Sequence, residues 1–308
     1  MRYAKEGAAQ RRAVEVLKEF GANSWPLQPE KIAASLDIPL ESSDAFPPNT
    51  YGALIKKGND FRVVISERCH NDGQRRFTIC HEIGHFCLDG HIEALFEGGG
   101  EVHLSNTSHF RSAKNWYEVE ADAFAAELLV PSFKAREVLR GAAMGVDSVK
   151  AIEQFFGTSL SCAAVRYANL SADPVVVILS KGREIEWASF SPSIKVHDFA
   201  RRRLKGEWLP SSSSTHRIAQ STDRVLSGEV LEDEMSLCEW FDGAPAVPVV
   251  EFSQGMGTYG RVLTVLVSPT LESPDVYQEK RSREVSPGDW KSPLREWSWD
   301  SHEDVRDD

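Results

Sequence analysis

The sequence predicts an α+β fold in two parts, on three observations. Helical periodicity runs through residues 8–36, 75–88, 115–131 and 147–170, two apolar runs at 51–67 flank a Gly-Asn-Asp turn, and β-rich texture takes over from Pro174. With 308 residues, 41% of them hydrophobic, the chain can build one large or two ordinary cores. The changes of texture divide it into a first domain at 1–145, a helical segment at 146–171, a second α+β domain at 172–280 and a charged, Trp- and Ser-bearing tail at 281–308 predicted to be disordered.

The elements follow in order. Val14, Leu17 and Phe20 share one face of a helix over 8–20, and Pro29 suits the start of a second helix at 29–36. YGALIKK and FRVVISE, separated by Gly58-Asn59-Asp60, read as a hairpin. A helix is expected from Arg75 to Leu88, ended by Asp89-Gly90, and the glycine-rich stretch from 98 to His109 reads as a loop or short hairpin. NWYEVEADAFAAELLVP places apolar residues at 116, 121, 124, 125, 128 and 129, a helix stopped by Pro131; Met144 in AAMG also reads as helical. VKAIEQFF and SCAAVRYANL, joined by Gly157-Thr158-Ser159, have the layout of a helix-turn-helix, but the second carries one basic residue, Arg166, so packing is the preferred reading over DNA contact. Beyond Pro174, VVVILS, EIEWASFS, VPVVEF and GRVLTVLVS read as strands, HDFARRRLKGE as helix and SSSS at 211–214 as a flexible connection.

The net charge of -11 is opposite in sign to the footprint that neutralises phosphates, so no direct nucleic-acid contact is expected, and Arg201, Arg202 and Arg203 read as a solvated helix face. No apolar run approaches the roughly 20 residues a membrane helix needs. The charged N-terminus resembles neither a signal nor a transit peptide. Five cysteines, at 69, 80, 87, 162 and 238, suit a reducing compartment; a cytoplasmic location is expected.

The chemistry concentrates in FTICHEIGHFCLDGH at 77–91. His81-Glu82-Ile83-Gly84-His85 is an HExxH motif on a predicted helix: histidines four apart share a face and can reach one Zn²⁺, while Glu82 can address a water there. A catalytic zinc takes a third protein ligand. His91 has the metzincin spacing, but that pattern needs glycine at 88, where this chain has Leu, so His91 reads as an exposed loop residue. Cys80 and Cys87 point away from the histidine face and read as packing residues. Glu118 and Asp122, one turn apart on the next long helix, are better placed: one carboxylate can reach the metal while the other accepts a hydrogen bond from a ligand imidazole. A local alternative stands beside this, since Asn115 and Glu118 also form a capping-box pattern and Asp122 could be solvated.

RRFTICHEIGHF at 75–86 and EVEADAFAAELLVP at 118–131 resemble the two motifs of the ImmA/IrrE metallo-endopeptidases, in the right order, with similarity over roughly residues 8–170. The resemblance implies a small gluzincin-like zinc peptidase domain with a helix-turn-helix-like extension, zinc ligands His81, His85 and Glu118, and Glu82 as catalytic base. It further implies a site-specific endopeptidase that cleaves a helix-turn-helix, Xre-type repressor and so relieves repression in a stress response or mobile element. The rival expectation is a toxin-antitoxin-like binding protein that sequesters such a partner without cutting it; an intact Glu82 favours the enzyme. Some family members carry a GAF-like sensor domain where this chain has 172–280. An exposed strand such as FRVVISE could hold an extended substrate, and His103, His109, Tyr117 and Tyr51 stand as undecided candidates for stabilising an oxyanion.

Overall fold

The first half of the chain wraps helices around a small sheet. In this computed structural model, which describes residues 4–69, 71–105, 115–201 and 204–272, α1 (Glu6–Phe20) and α2 (Pro29–Ser35) lead into β1 (Leu40–Ser43), β2 (Gly52–Lys57) and β3 (Asp60–Ser66). The chain divides into the units Met1–Leu271 and Glu272–Asp308, and all of these elements belong to the first. The expected tail at 281–308, Arg202, Arg203 and His109 lie outside the described residues.

Next come α3 (Asp72–Cys87), a short α4 (His91–Leu95), β4 (Val102–Ser105), α5 (Trp116–Leu129), α6 (Ser132–Leu139), α7 (Val146–Phe156) and α8 (Leu160–Leu170). The first sheet has the order β1-β3-β2-β4, with β1 parallel to β3 and the other pairs antiparallel. FRVVISE is therefore an inner strand, with residues 63–65 paired on both sides, rather than an exposed one; β1 and β4 are the edges. Helix α3 packs on β2 and β3, and α5 packs on both α3 and α1. The α3–α5 approach is close because residue 84 is glycine: a Cβ there would lie 3.0 Å from Phe124 Cδ1.

The second half is a five-stranded antiparallel sheet, β6-β5-β9-β8-β7, from β5 (Val175–Lys181), β6 (Glu184–Phe190), β7 (Val230–Ser236), β8 (Pro248–Gly255) and β9 (Arg261–Val267). Between them lie four short helices, α9 (Pro192–Lys195), α10 (Ser214–Ala219), α11 (Thr222–Ser227) and α12 (Leu237–Trp240). The apolar run of β5 has no polar alternation because both of its faces are buried. Val175, Val177 and Leu179 join the core beneath the helices, and Val176 and Ile178 join a second core on the opposite face.

Three expectations are corrected. Among the described residues of HDFARRRLKGE, the helical part is a short 3-10 turn at Asp198–Arg201. SSSS is not a flexible connection. Ser213 and Ser214 are buried, Ser213 Oγ caps α10 by accepting from His216 N at 3.0 Å, and the Ser214 and Thr215 amides donate to the buried Glu251 carboxylate. Met144 lies in the turn between α6 and α7 rather than in a helix. Helices α7 and α8 meet through Gly157 in the left-handed region (φ 59°), as the sequence suggests. Arg166 on α8 is buried, however, donating to Glu127 at 2.8 Å and to the Val130 carbonyl at 2.6 Å. The basic residue of that helix thus belongs to the core rather than to a DNA-facing surface.

Candidate metal centre

Helix α3 carries the centre of the site into the interior. Asn71 caps it, its Oδ1 accepting from Gln74 N at 2.9 Å, so the helix begins three residues before the expected Arg75. From Phe77 to His85 every residue is buried, and Cys80 packs in the core as the sequence suggests.

His81 and His85, one turn apart, bring their Nε2 atoms to 3.0 Å. Helix α5 delivers Glu118 between them, with Oε2 3.5 Å from His81 Nε2 and Oε1 3.4 Å from His85 Nε2. No side-chain cap forms at Asn115, so the capping-box alternative for Glu118 is not what the structure adopts. Asp122, the next turn along, takes the other nitrogen of His81, Nδ1 to Oδ1 at 2.9 Å. Because an ionised carboxylate can only accept, His81 Nδ1 is the donor and its Nε2 lone pair is left facing Glu118 and His85.

This donor set fits a metal ion. Ligand atoms of a tetrahedral zinc at about 2.0–2.1 Å lie roughly 3.3 Å from one another; here the two Nε2 atoms are 3.0 Å apart, and the Glu118 carboxylate sets Oε1 3.4 Å from His85 Nε2 and Oε2 3.5 Å from His81 Nε2. Among the described residues, His81, His85 and Glu118 are the group of three so placed. Without a metal, the facing nitrogens must share a proton. Burial lowers the affinity of His81 for that proton, but hydrogen bonds to Asp122 and Glu118 outweigh it and raise its pKa to about 10. Burial pushes His85 down to about 3, against the pull of Glu118. Glu118 is itself partly buried, yet hydrogen bonds with His103, His81 and His85 hold it well below the usual carboxylate range.

Glu82 is 0% exposed, and among the described residues neither of its carboxylate oxygens has a hydrogen-bond partner. Burial pushes its pKa up. Its place is kept by Gly52 on β2: a Cβ on Gly52 would lie 2.6 Å from Glu82 Oε1 and collide with Thr78 Cγ2.

His91 departs from expectation. It is buried rather than exposed, begins α4 and sets its Nδ1 3.0 Å from His85 Nδ1. The reason is Gly90, whose φ of 77° lets the chain double back two residues after α3 ends at its C-cap, Leu88. His103, on β4, sets its Nε2 3.0 Å from Glu118 Oε1. Its ring centroid lies 4.9 Å from that of His85, against 6.2 Å for Tyr117. Sequence reasoning gave no role to Gly52 or Glu120. Only a fold that brings β2 against α3 and α5 against α4 gives them one.

Residues 35–167 match the family model of the IrrE N-terminal-like domain, Peptidase_M78. No curated protein matches the chain. A solved Mycobacterium tuberculosis transcriptional regulator shares its fold with a TM-score of 0.53 and 13% identity, over 85% of this chain and 76% of that one. A histidine–glutamate cluster able to hold a metal lies inside the matched span, and the match of residues 35–167 to the IrrE N-terminal-like domain points to a metallopeptidase.

Proposed function

We propose that the chain is a zinc-dependent, site-specific endopeptidase whose substrate is a helix-turn-helix transcriptional repressor, cleaved to relieve repression. The observation that carries the catalytic part is Glu82. A buried carboxylate with both oxygens unpartnered costs stability, and here it lies beside three convergent metal-ligating groups. Such a group is poised to take a proton.

His81, His85 and Glu118 would hold the ion, and Asp122 would keep His81 in the tautomer that offers Nε2. When bound, zinc supplies Lewis acidity, lowering the pKa of water towards about 7 and polarising the scissile carbonyl. Glu82 accepts the proton of the attacking water and delivers it to the leaving amine. Its raised proton affinity suits both steps. His103 lies closer to His85 than Tyr117 does, but its Nε2 hydrogen goes to Glu118 Oε1, so it would donate to the developing oxyanion only by releasing that bond.

The substrate would lie along β4, not β3. Lys56 N donates to Glu101 O on the β2 side, so by the two-residue alternation of an antiparallel ladder the outward backbone groups are those of Val102 and Leu104. Both side chains are exposed, beside His103. A peptide strand added there would pass the metal cluster. The five cysteines are unpaired, and among the described residues no helix is long and apolar enough to cross a membrane, which supports a cytoplasmic setting.

The test is incubation of the zinc-loaded protein with a helix-turn-helix repressor encoded beside it, against Glu82→Gln. Cleavage by the native protein only, with equal zinc content in both, is expected. If both bind the repressor and leave it intact, the sequestering protein replaces the peptidase.

A further inference from the structure

We infer that His91 and Glu120 form a buried hydrogen-bond chain that positions His85 and fixes its tautomer for the metal. The inference rests on the proposed metal centre. His85 is bracketed along its ring: Nε2 faces His81 Nε2 and Glu118, while Nδ1 faces His91 Nδ1 at 3.0 Å. His91 thus stands behind His85, on the side away from the cluster, and is a positioning residue rather than a ligand.

Its second nitrogen, Nε2, lies 3.2 Å from Glu120 Oε2, and Glu120 Oε1 accepts from the Lys5 amide at 2.8 Å. His91 is 0% exposed and Glu120 4%. The ring of Trp116 packs edge-on against His91, centroids 5.1 Å apart at 90°. Chain, burial and packing leave His91 one orientation.

The donor sequence then runs in one direction. Glu120, as a carboxylate, accepts, so His91 Nε2 carries the hydrogen and His91 Nδ1 is an acceptor. His85 Nδ1 must therefore donate to it, which leaves the His85 Nε2 lone pair for the metal. Without His91, His85 is free to take the opposite tautomer, with hydrogen on Nε2, which cannot ligate. The carboxylate behind His91 also raises the basicity of His85 through the chain. His81 receives the same service from Asp122 directly. The two ligand histidines are supported by different devices: a carboxylate for one, an imidazole backed by a carboxylate for the other.

The experiment measures the zinc dissociation constant of the purified full chain by competition with a chromophoric chelator, together with the visible spectrum of the cobalt-substituted protein. His91→Leu keeps an apolar filler and is expected to weaken zinc about 10- to 100-fold and to shift the cobalt bands. His91→Gln, whose amide can donate to Glu120 and accept from His85, is expected to recover most of the affinity. Unaltered affinity and spectrum in His91→Leu, with tight binding by the native chain, overturns the inference and leaves the metal centre standing. Absence of zinc binding by the native chain overturns both. Should His91→Leu fail to fold, Glu120→Ala, which leaves His91 Nε2 without this acceptor, carries the test: weaker zinc binding supports the chain, and native affinity overturns it.

Discussion

His81 Nδ1 and Asp122 Oδ1 lie 2.9 Å apart, a contact made possible because Asp122 sits one helical turn beyond Glu118 on α5. One helix therefore supplies both a carboxylate aimed at the cluster and the carboxylate that orients one of its histidines. Asp122→Ala is expected to weaken zinc about 10- to 100-fold, while Asp122→Asn, which can still accept through its carbonyl, should lose less. Dialysis against graded zinc, read by metal analysis, checks the order. Equal occupancy in all three proteins would remove Asp122 from the site.

Gly52 and Glu82 make the second prediction. The carboxylate occupies the space a side chain at 52 would need, with the added Cβ 2.6 Å from Oε1. Gly52→Ala must therefore displace Glu82 or bend β2 away from α3. Peptidase turnover should fall roughly 100-fold, the cost of a misplacement of about 1 Å in a catalytic group, with zinc content unchanged because no ligand moves off α3 or α5. Turnover measured beside metal analysis separates the two effects. Native turnover in the alanine variant would sink the assignment of Glu82 as base.

The third prediction concerns the metal-free protein, whose stability should peak near pH 6.5. His85 titrates near 3 in the fold, chiefly through burial, against 6.5 when unfolded. Between these values the unfolded chain binds a proton the native one does not, so stability falls as pH falls. Glu118, held down by its histidine partners, acts in the same sense: its contribution is present above the unfolded value of about 4.3 and is lost in acid. His81 acts oppositely. Despite burial, Asp122 and Glu118 raise it to about 10, so its contribution is complete below 6.5 and is lost as pH rises from there to about 10. Urea midpoints in the presence of a chelator should therefore decline on both sides of about pH 6.5. A midpoint that keeps rising into the alkaline range would contradict the His81 assignment, and His81→Asn should abolish the alkaline decline.

The legible and illegible parts of this chain differ in what sets them. Helices α1, α3, α5, α7 and α8 declare themselves through apolar spacing, and strands β2, β3, β5 and β9 through apolar runs between turn residues. Strand β1 is LESS, four residues with no apolar pattern, and exists because β3 offers it a parallel partner. The acidic β7 is likewise an edge whose pairing with β8 outweighs its composition. At the site, HExxH and the Glu118–Asp122 spacing are local facts of two helices and can be read from the chain. The burial of His91 is not local. It depends on Gly90 reversing the chain and on Glu120, about 200° around α5 from Glu118 at 100° per residue, meeting it there.

The edge of β4 gives the last prediction. If a peptide substrate is held by strand addition, the Leu104 amide faces it, because the β2-facing bonds belong to the alternate residues of the ladder. Proline at 104 then removes an outward donor without breaking a bond to β2, the situation in which an edge strand tolerates proline. Leu104→Pro should fold and bind zinc normally yet lose about 2- to 12-fold in kcat/KM for the repressor, the worth of one uncharged hydrogen bond of about 0.5–1.5 kcal/mol. Leu104→Ala should lose less, since it keeps the amide and discards only an exposed side chain. Proline at the equivalent place on the opposite edge, Ser42→Pro on β1, should leave kcat/KM unaltered, because β1 is separated from β4 by both β3 and β2. Steady-state cleavage of the repressor by the three variants decides the matter: a proline effect at 42 as large as that at 104 would mean that general loosening of the sheet, and not substrate pairing, accounts for the loss.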